Sequence, residues 1–170
     1  MGLSLSCSNR VKQTLHRSPE FNSACSSAYA DCLSLNQHAF SGVKPYQLFS
    51  ATERLHRTLS QSLRLVSKWV PRPPDRAQVE RALKTILSRR PAQREEVTLD
   101  EAEFEEFAAE VFAEAVDSGA RMEVLKRVPL GVAGIAGFGA VVRPGKEVLA
   151  AAIGAYTLGV ATSIYLRLDA

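Results

Sequence analysis

Beyond His56 the chain contains neither histidine nor cysteine. The three histidines (His16, His38, His56) and three cysteines (Cys7, Cys25, Cys32) all fall in the first third of the sequence. Everything after them has no thiol or imidazole from which to build a nucleophile–base pair or a Cys/His metal site. The cysteine spacings match no C-x-x-C pattern, which argues against a zinc ribbon or a dithiol redox pair. Aromatic residues make up only 7% of the chain, with Trp69 the single tryptophan. Acids are scarce at the start: residues 1–70 hold only Glu20, Asp31 and Glu53 against eight Lys and Arg.

What is present is strongly segregated. The net charge of +3 combines +5 over residues 1–70, −3 over 71–127 and +1 over 128–170. Residues 1–45 are rich in Ser, carry scattered basic residues and have no continuous apolar core of the kind a secretory signal needs. This composition predicts a disordered leader acting as a transit peptide, directing the protein to the chloroplast, with the mitochondrion as the alternative. The opening Met1-Gly2-Leu3-Ser4-Leu5-Ser6 also fits the pattern for myristoylation of Gly2, with Cys7 positioned for palmitoylation.

Residues 46–70 predict a basic amphipathic helix. Leu55, Leu59, Leu63, Val66 and Val70 share one face, and Arg54, Arg57, Arg64 and Lys68 the opposite one. Three roles fit that pattern: the end of a presequence, a helix lying on an anionic membrane, or a bundle helix with a solvated basic face. Pro71, Pro73 and Pro74 stop it.

Residues 75–127 predict a small helical region. Asp75 is a suitable N-cap for a helix reaching about Arg90, with Val79, Leu83, Ile86 and Leu87 on one face. The sequence Thr98-Leu99-Asp100-Glu101 has the form of a capping box, and Gly119 that of a C-cap. Between them Phe104, Phe107, Val111 and Phe112 form an apolar face, and Glu103, Glu106, Glu110, Glu114 and Asp117 an acidic stripe. Without histidine, that stripe is a poor match to a helical di-metal site, which uses Glu-x-x-His motifs. It reads as a docking surface for a protein partner with a basic surface, and residues 54–68 could supply that basic surface from within the chain. The basic residues between Arg72 and Arg94 accompany no RRM, KH, zinc-finger or P-loop signature, so nucleic acid is disfavoured.

Residues 128–168 hold the longest apolar runs. Val148 to Leu166 is 19 residues without a charge, about the length of a membrane-crossing helix. Val128 to Val142 precedes it across a short polar turn. The expectation is a membrane hairpin in contact with lipid, its arms or its copies packed through Gly131, Gly134, Gly137, Gly154 and Gly159, so that a homo-oligomer could form.

Together these readings give an all-α fold: a disordered Ser-rich leader, a small helical region and a C-terminal hydrophobic helical hairpin. The function expected is that of a small organelle-targeted integral membrane protein, a non-enzymatic assembly or docking factor that uses the acidic helix and no metal or cofactor. Two alternatives stand beside it. One is a soluble, imported helical interaction module with a buried C-terminal helix, and the other a carboxylate-based metal enzyme.

Overall fold

The computed structural model describes residues 2–35, 42–90, 97–142 and 146–166. The protein is all-α. Seven helices are found among these residues: α1 (Gly2–Arg17), α2 (Pro19–Leu35), α3 (Pro45–Ser62), α4 (Arg64–Trp69), α5 (Arg76–Ser88), α6 (Glu101–Val142) and α7 (Lys146–Leu166). They fall into two compact units, residues 1–117 and 118–170.

The first unit holds a continuous core. Leu15 of α1, Phe21 of α2, Leu48, Leu55 and Leu59 of α3, and Phe104, Phe107 and Phe112 of α6 are all fully buried. The helices form where their ends are chemically marked. Pro19 takes the first position of α2, where its missing N–H is no loss, and the Ser18 hydroxyl accepts from the Phe21 amide at 3.3 Å. At α5 the Asp75 carboxylate accepts from the Gln78 amide at 2.8 Å while the Gln78 side chain accepts from the Asp75 amide at 3.0 Å. Asp75 is therefore the cap that the sequence predicts. The capping box of α6 lies two residues later than expected, with Asp100 and Glu103 exchanging bonds of 2.9 and 3.1 Å.

Residues 8–35 depart from the disordered leader. In α2, Phe21, Ala24, Cys25, Ala28 and Cys32 are buried, a stripe at helical spacing, and α1 buries Val11 and Leu15 one turn apart. The predicted single helix over 46–70 is two helices broken at Leu63, which is extended at φ −111° and ψ 115°. The break leaves the apolar face intact: Leu55, Leu59, Val66 and Val70 are all buried. His56 spans it, its Nε2 donating to the Val70 carbonyl at 2.7 Å.

A two-residue bridge ties the segment before α3 to the one before α6. The Val43 amide donates to the Leu99 carbonyl and the Leu99 amide to the Val43 carbonyl, each at 2.9 Å. Gly42 makes the approach feasible, since a Cβ there would stand 2.5 Å from the Leu99 carbonyl oxygen.

The second unit consists of the later turns of α6 together with α7. Gly119 does not end α6, and Pro129 lies within it. A lone helical glycine costs only about 1 kcal/mol, too little to stop a helix of 42 residues. Among the described residues no helix is long and apolar enough to cross a membrane. This overturns the integral membrane protein, its transmembrane helices and the membrane hairpin. Val128 to Val142 is not a separate apolar arm but the end of a helix whose beginning carries the acidic stripe. More than half of Val148 to Leu166 is Ala, Gly, Ser or Thr, so its freedom from charge overstates its apolar character.

Candidate functional site

The charged residues of the first unit divide into a paired set and an unpaired one. Along α6 the acidic stripe meets cations from α1 and from α5 with the residues just after it. Lys12 reaches Glu110 at 2.7 Å and Arg89 reaches the same oxygen at 3.4 Å. Arg81 donates from Nη2 to Glu114 at 2.6 Å, an interaction that raises the guanidinium pKa. The His16 ring lies 3.2 Å from Glu105, and Ser26 donates to Glu101 at 3.0 Å.

The best enclosed pair is Arg90 with Glu103, whose side chains are 11% and 20% exposed. Arg90 grips the carboxylate with Nε and Nη2, at 2.8 and 2.5 Å, and Nη2 also donates to the Thr98 carbonyl. A bidentate Arg–carboxylate pair of this kind fixes geometry as well as charge.

Of the five residues predicted as a docking surface, Glu103, Glu110 and Glu114 are thus engaged within the chain, Asp117 is buried, and Glu106 alone is exposed. The intramolecular partners are not the basic residues of 54–68. Arg54 lies 3.9 Å from Asp31 of α2, while Arg57, Arg64 and Lys68 face solvent.

Those residues belong to the unpaired set. Arg57 on α3, Arg64 and Lys68 on α4, Arg72 in the proline segment and Arg76 and Lys84 on α5 are all exposed, and none is in an ion pair among the described residues. Two of them cover aromatic rings instead: Lys68 lies 4.9 Å from the centre of Trp69, and Arg76 lies 5.1 Å from that of Phe49. Because Leu48, Leu55 and Leu59 are committed to the core, the apolar face of α3 is not available to a membrane surface, which selects the bundle-helix reading of this segment.

Neither buried thiol belongs to a reactive site. Burial, reinforced by Glu105, pushes Cys25 up to about 12, and burial also raises Cys32. The thiolate is the nucleophile, so both are held in their inert form. Cys32 borders a shallow depression of about 250 Å³ together with Leu35, Tyr46, Gln47, Ser50 and Arg54. The buried Gln47 side-chain amide among these residues donates to the Cys32 carbonyl at 3.0 Å. No group of three His, Cys, Asp or Glu among the described residues is arranged to hold a metal.

The glycines proposed for helix packing differ in their surroundings. A Cβ on Gly131 would collide with the Tyr156 ring, whereas the positions next to Gly134, Gly154 and Gly159 are open. Gly137 lies within α6, and Gly2 and Cys7 within α1; the side-chain surroundings of these three fall outside the described residues.

Sequence reasoning included a solvated basic face over residues 54–68; what it missed is that Lys12, Arg81, Arg89 and Arg90 pair with the acidic stripe. The cations are visible in the sequence, but which acids are already occupied is a property of the fold. Comparison with protein-family models, with curated proteins and with solved structures found no match.

Proposed function

We propose that this chain is a helical interaction module whose binding surface is the basic face of α3, α4 and α5, and that its partner is an acidic protein surface. One observation carries this reading: Glu103, Glu110 and Glu114 of α6 are paired with cations from α1, from α5 and from the residues just after α5, while Arg57, Arg64, Lys68, Arg72 and Lys84 remain exposed outside any ion pair among the described residues. The polarity of docking is therefore the reverse of that expected from the acidic stripe alone. A protein is favoured over nucleic acid because the rings beside these cations are not free to stack on bases: Trp69 is buried and Phe49 lies under Arg76.

Fluorescence anisotropy tests this with a labelled acidic helical peptide and, separately, a single-stranded RNA of equal charge. The peptide is expected to bind, to weaken with salt, and to be released by Arg57→Glu combined with Arg64→Glu. RNA binding tighter than peptide binding at matched charge would sink the reading.

The composition of residues 1–45 supports delivery to a plastid, with the mitochondrion as the alternative. Because Val11 to Cys32 contribute core residues, the working form of the protein retains them. N-terminal sequencing of the protein recovered from the organelle tests this, and a start beyond Cys32 would count against it.

A further inference from the structure

Two cations of the basic face are held in place before any partner arrives. The Arg76 guanidinium, at the start of α5, lies 5.1 Å from the centre of the Phe49 ring of α3, and the Lys68 ammonium 4.9 Å from that of Trp69. Arg57, Arg64, Arg72 and Lys84 are exposed with neither a ring nor an acid beneath them among the described residues. What holds Arg76 is the ring and not a carboxylate. Glu53 stands one turn after Phe49 on α3 and Glu80 one turn after Arg76 on α5, both exposed, and neither is in an ion pair with Arg76 among the described residues. The adjacent Asp75 carboxylate accepts from the Gln78 amide. A ring occupies the face of a guanidinium and leaves the N–H groups along its edge free to donate to a ligand. A mobile arginine must give up side-chain freedom to grip a carboxylate, and Arg76 has given up much of it already.

Resting on the reading of α3, α4 and α5 as the docking surface, we infer that Arg76 is its anchor. Held over Phe49, it takes one carboxylate of the acidic partner in a two-pronged grip that fixes the partner's register. Lys68 is held too, but an ammonium is a point charge and sets no direction. Arg57, Arg64, Arg72 and Lys84 attract the partner through charge alone, and each loses mobility on contact. Phe49 is a positioning residue, acting through Arg76 rather than on the partner. The partner that fits this face is therefore an acidic segment with one glutamate or aspartate seated at Arg76 and its other acids interchangeable.

Fluorescence anisotropy with a labelled acidic helical peptide, on the full chain, is the test. Arg76→Ala should weaken binding more than about tenfold and Lys84→Ala less than about threefold, although each removes one positive charge. Arg76→Lys keeps the charge and should recover little, because an ammonium cannot span two carboxylate oxygens. Phe49→Leu leaves every charge in place yet should cost about threefold. It should cost nothing further once Arg76 is alanine, a non-additivity that lost core packing alone would not give. Among peptides with one glutamate at a time changed to glutamine, one change should likewise be silent in the Arg76→Ala chain. Circular dichroism checks that each variant folds, and Arg76→Lys, at an exposed side chain, carries the test if Phe49→Leu does not. Failure of the peptide to bind the unaltered chain would sink the docking surface and the anchor with it. Binding that Arg76→Ala and Lys84→Ala weaken equally, or that Arg76→Lys leaves at full strength, would overturn the anchor and leave the docking surface standing.

Discussion

The first unit buries Phe21, Phe104, Phe107 and Phe112 and a shell of leucines around them, whereas in the second unit Ala120 and Ile164 are the buried residues among those described. The contrast runs against local hydrophobicity. The most apolar stretch of the sequence, α7, leaves Val148 62% and Leu158 70% exposed, while the Ser-rich α2 buries one full stripe. Burial follows from having complementary faces to pack against, and an amphipathic pattern matters more than average apolarity.

The sharpest way to break this contrast is to remove residues 1–45, the segment whose composition resembles a leader. That deletion takes Leu15, Phe21 and Cys25 out of the core and leaves Leu48 and Phe104 facing water. Cooperative thermal unfolding, followed by circular dichroism, should be lost. The matching single change, Phe104→Ala, is expected to cost about 3–5 kcal/mol in urea denaturation, and Leu158→Ala on α7 less than about 0.5 kcal/mol. Equal costs would mean that the second unit holds a core of its own.

Much of the architecture was legible, and the failures share a cause. Helix α3, its apolar face, the Asp75 cap and the stop at the prolines can all be read from spacing and end chemistry. The stripe of Phe21, Ala24, Cys25, Ala28 and Cys32 was present at the same spacing, but the serines between its members matched a leader's composition and hid it. The acidic stripe of α6 was equally legible as a pattern. Its occupancy was not, because Lys12, Arg81, Arg89 and Arg90 reach it from positions 13 to 98 residues away in sequence. The membrane reading failed where absence of charge was taken for apolarity.

The buried thiol gives the next largest effect. Cys25 titrates near 12 in the folded protein, against an ordinary 9.0. A thiol raised by folding supports the fold fully below its unfolded value, and that support is lost as pH rises from about 9 toward 12, at about 1.4 kcal/mol per pH unit. Urea midpoints measured along that range should fall, and Cys25→Ala should flatten the decline. Below pH 9, alkylation of Cys25 should track global unfolding. Rapid labelling of the native protein would show that the core around α2 opens locally.

At Gly42 the expected loss is smaller, because only the bridge between two connecting segments is disturbed. An alanine there must push its Cβ against the Leu99 carbonyl oxygen, so either the Val43–Leu99 pair lengthens or the start of α6 shifts. A cost of about 1–3 kcal/mol is expected. Hydrogen exchange at the Val43 and Leu99 amides reports it directly, and unchanged protection would mean that the bridge is not held by close approach.

The ion pairs of α6 supply the finest distinction, since geometry ranks them although all join the same helix to its neighbours. Arg81 and Glu114 are 57% and 33% exposed, so water competes for both groups and Arg81→Ala should change stability by less than about 1 kcal/mol. Arg90 and Glu103 are largely enclosed, and removing the guanidinium takes two charge-assisted bonds from the carboxylate, which keeps the Asp100 amide, and one from the Thr98 carbonyl. Arg90→Ala should therefore cost about 2–3 kcal/mol, and Arg90→Lys should recover only part of it, because an ammonium cannot span both carboxylate oxygens and the carbonyl. If raising the salt concentration erased the two effects equally, the enclosure of Arg90 would count for nothing. A salt-resistant loss at Arg90 beside a salt-sensitive one at Arg81 would mean that the acidic stripe is held shut at Glu103 and only lightly screened at Glu114.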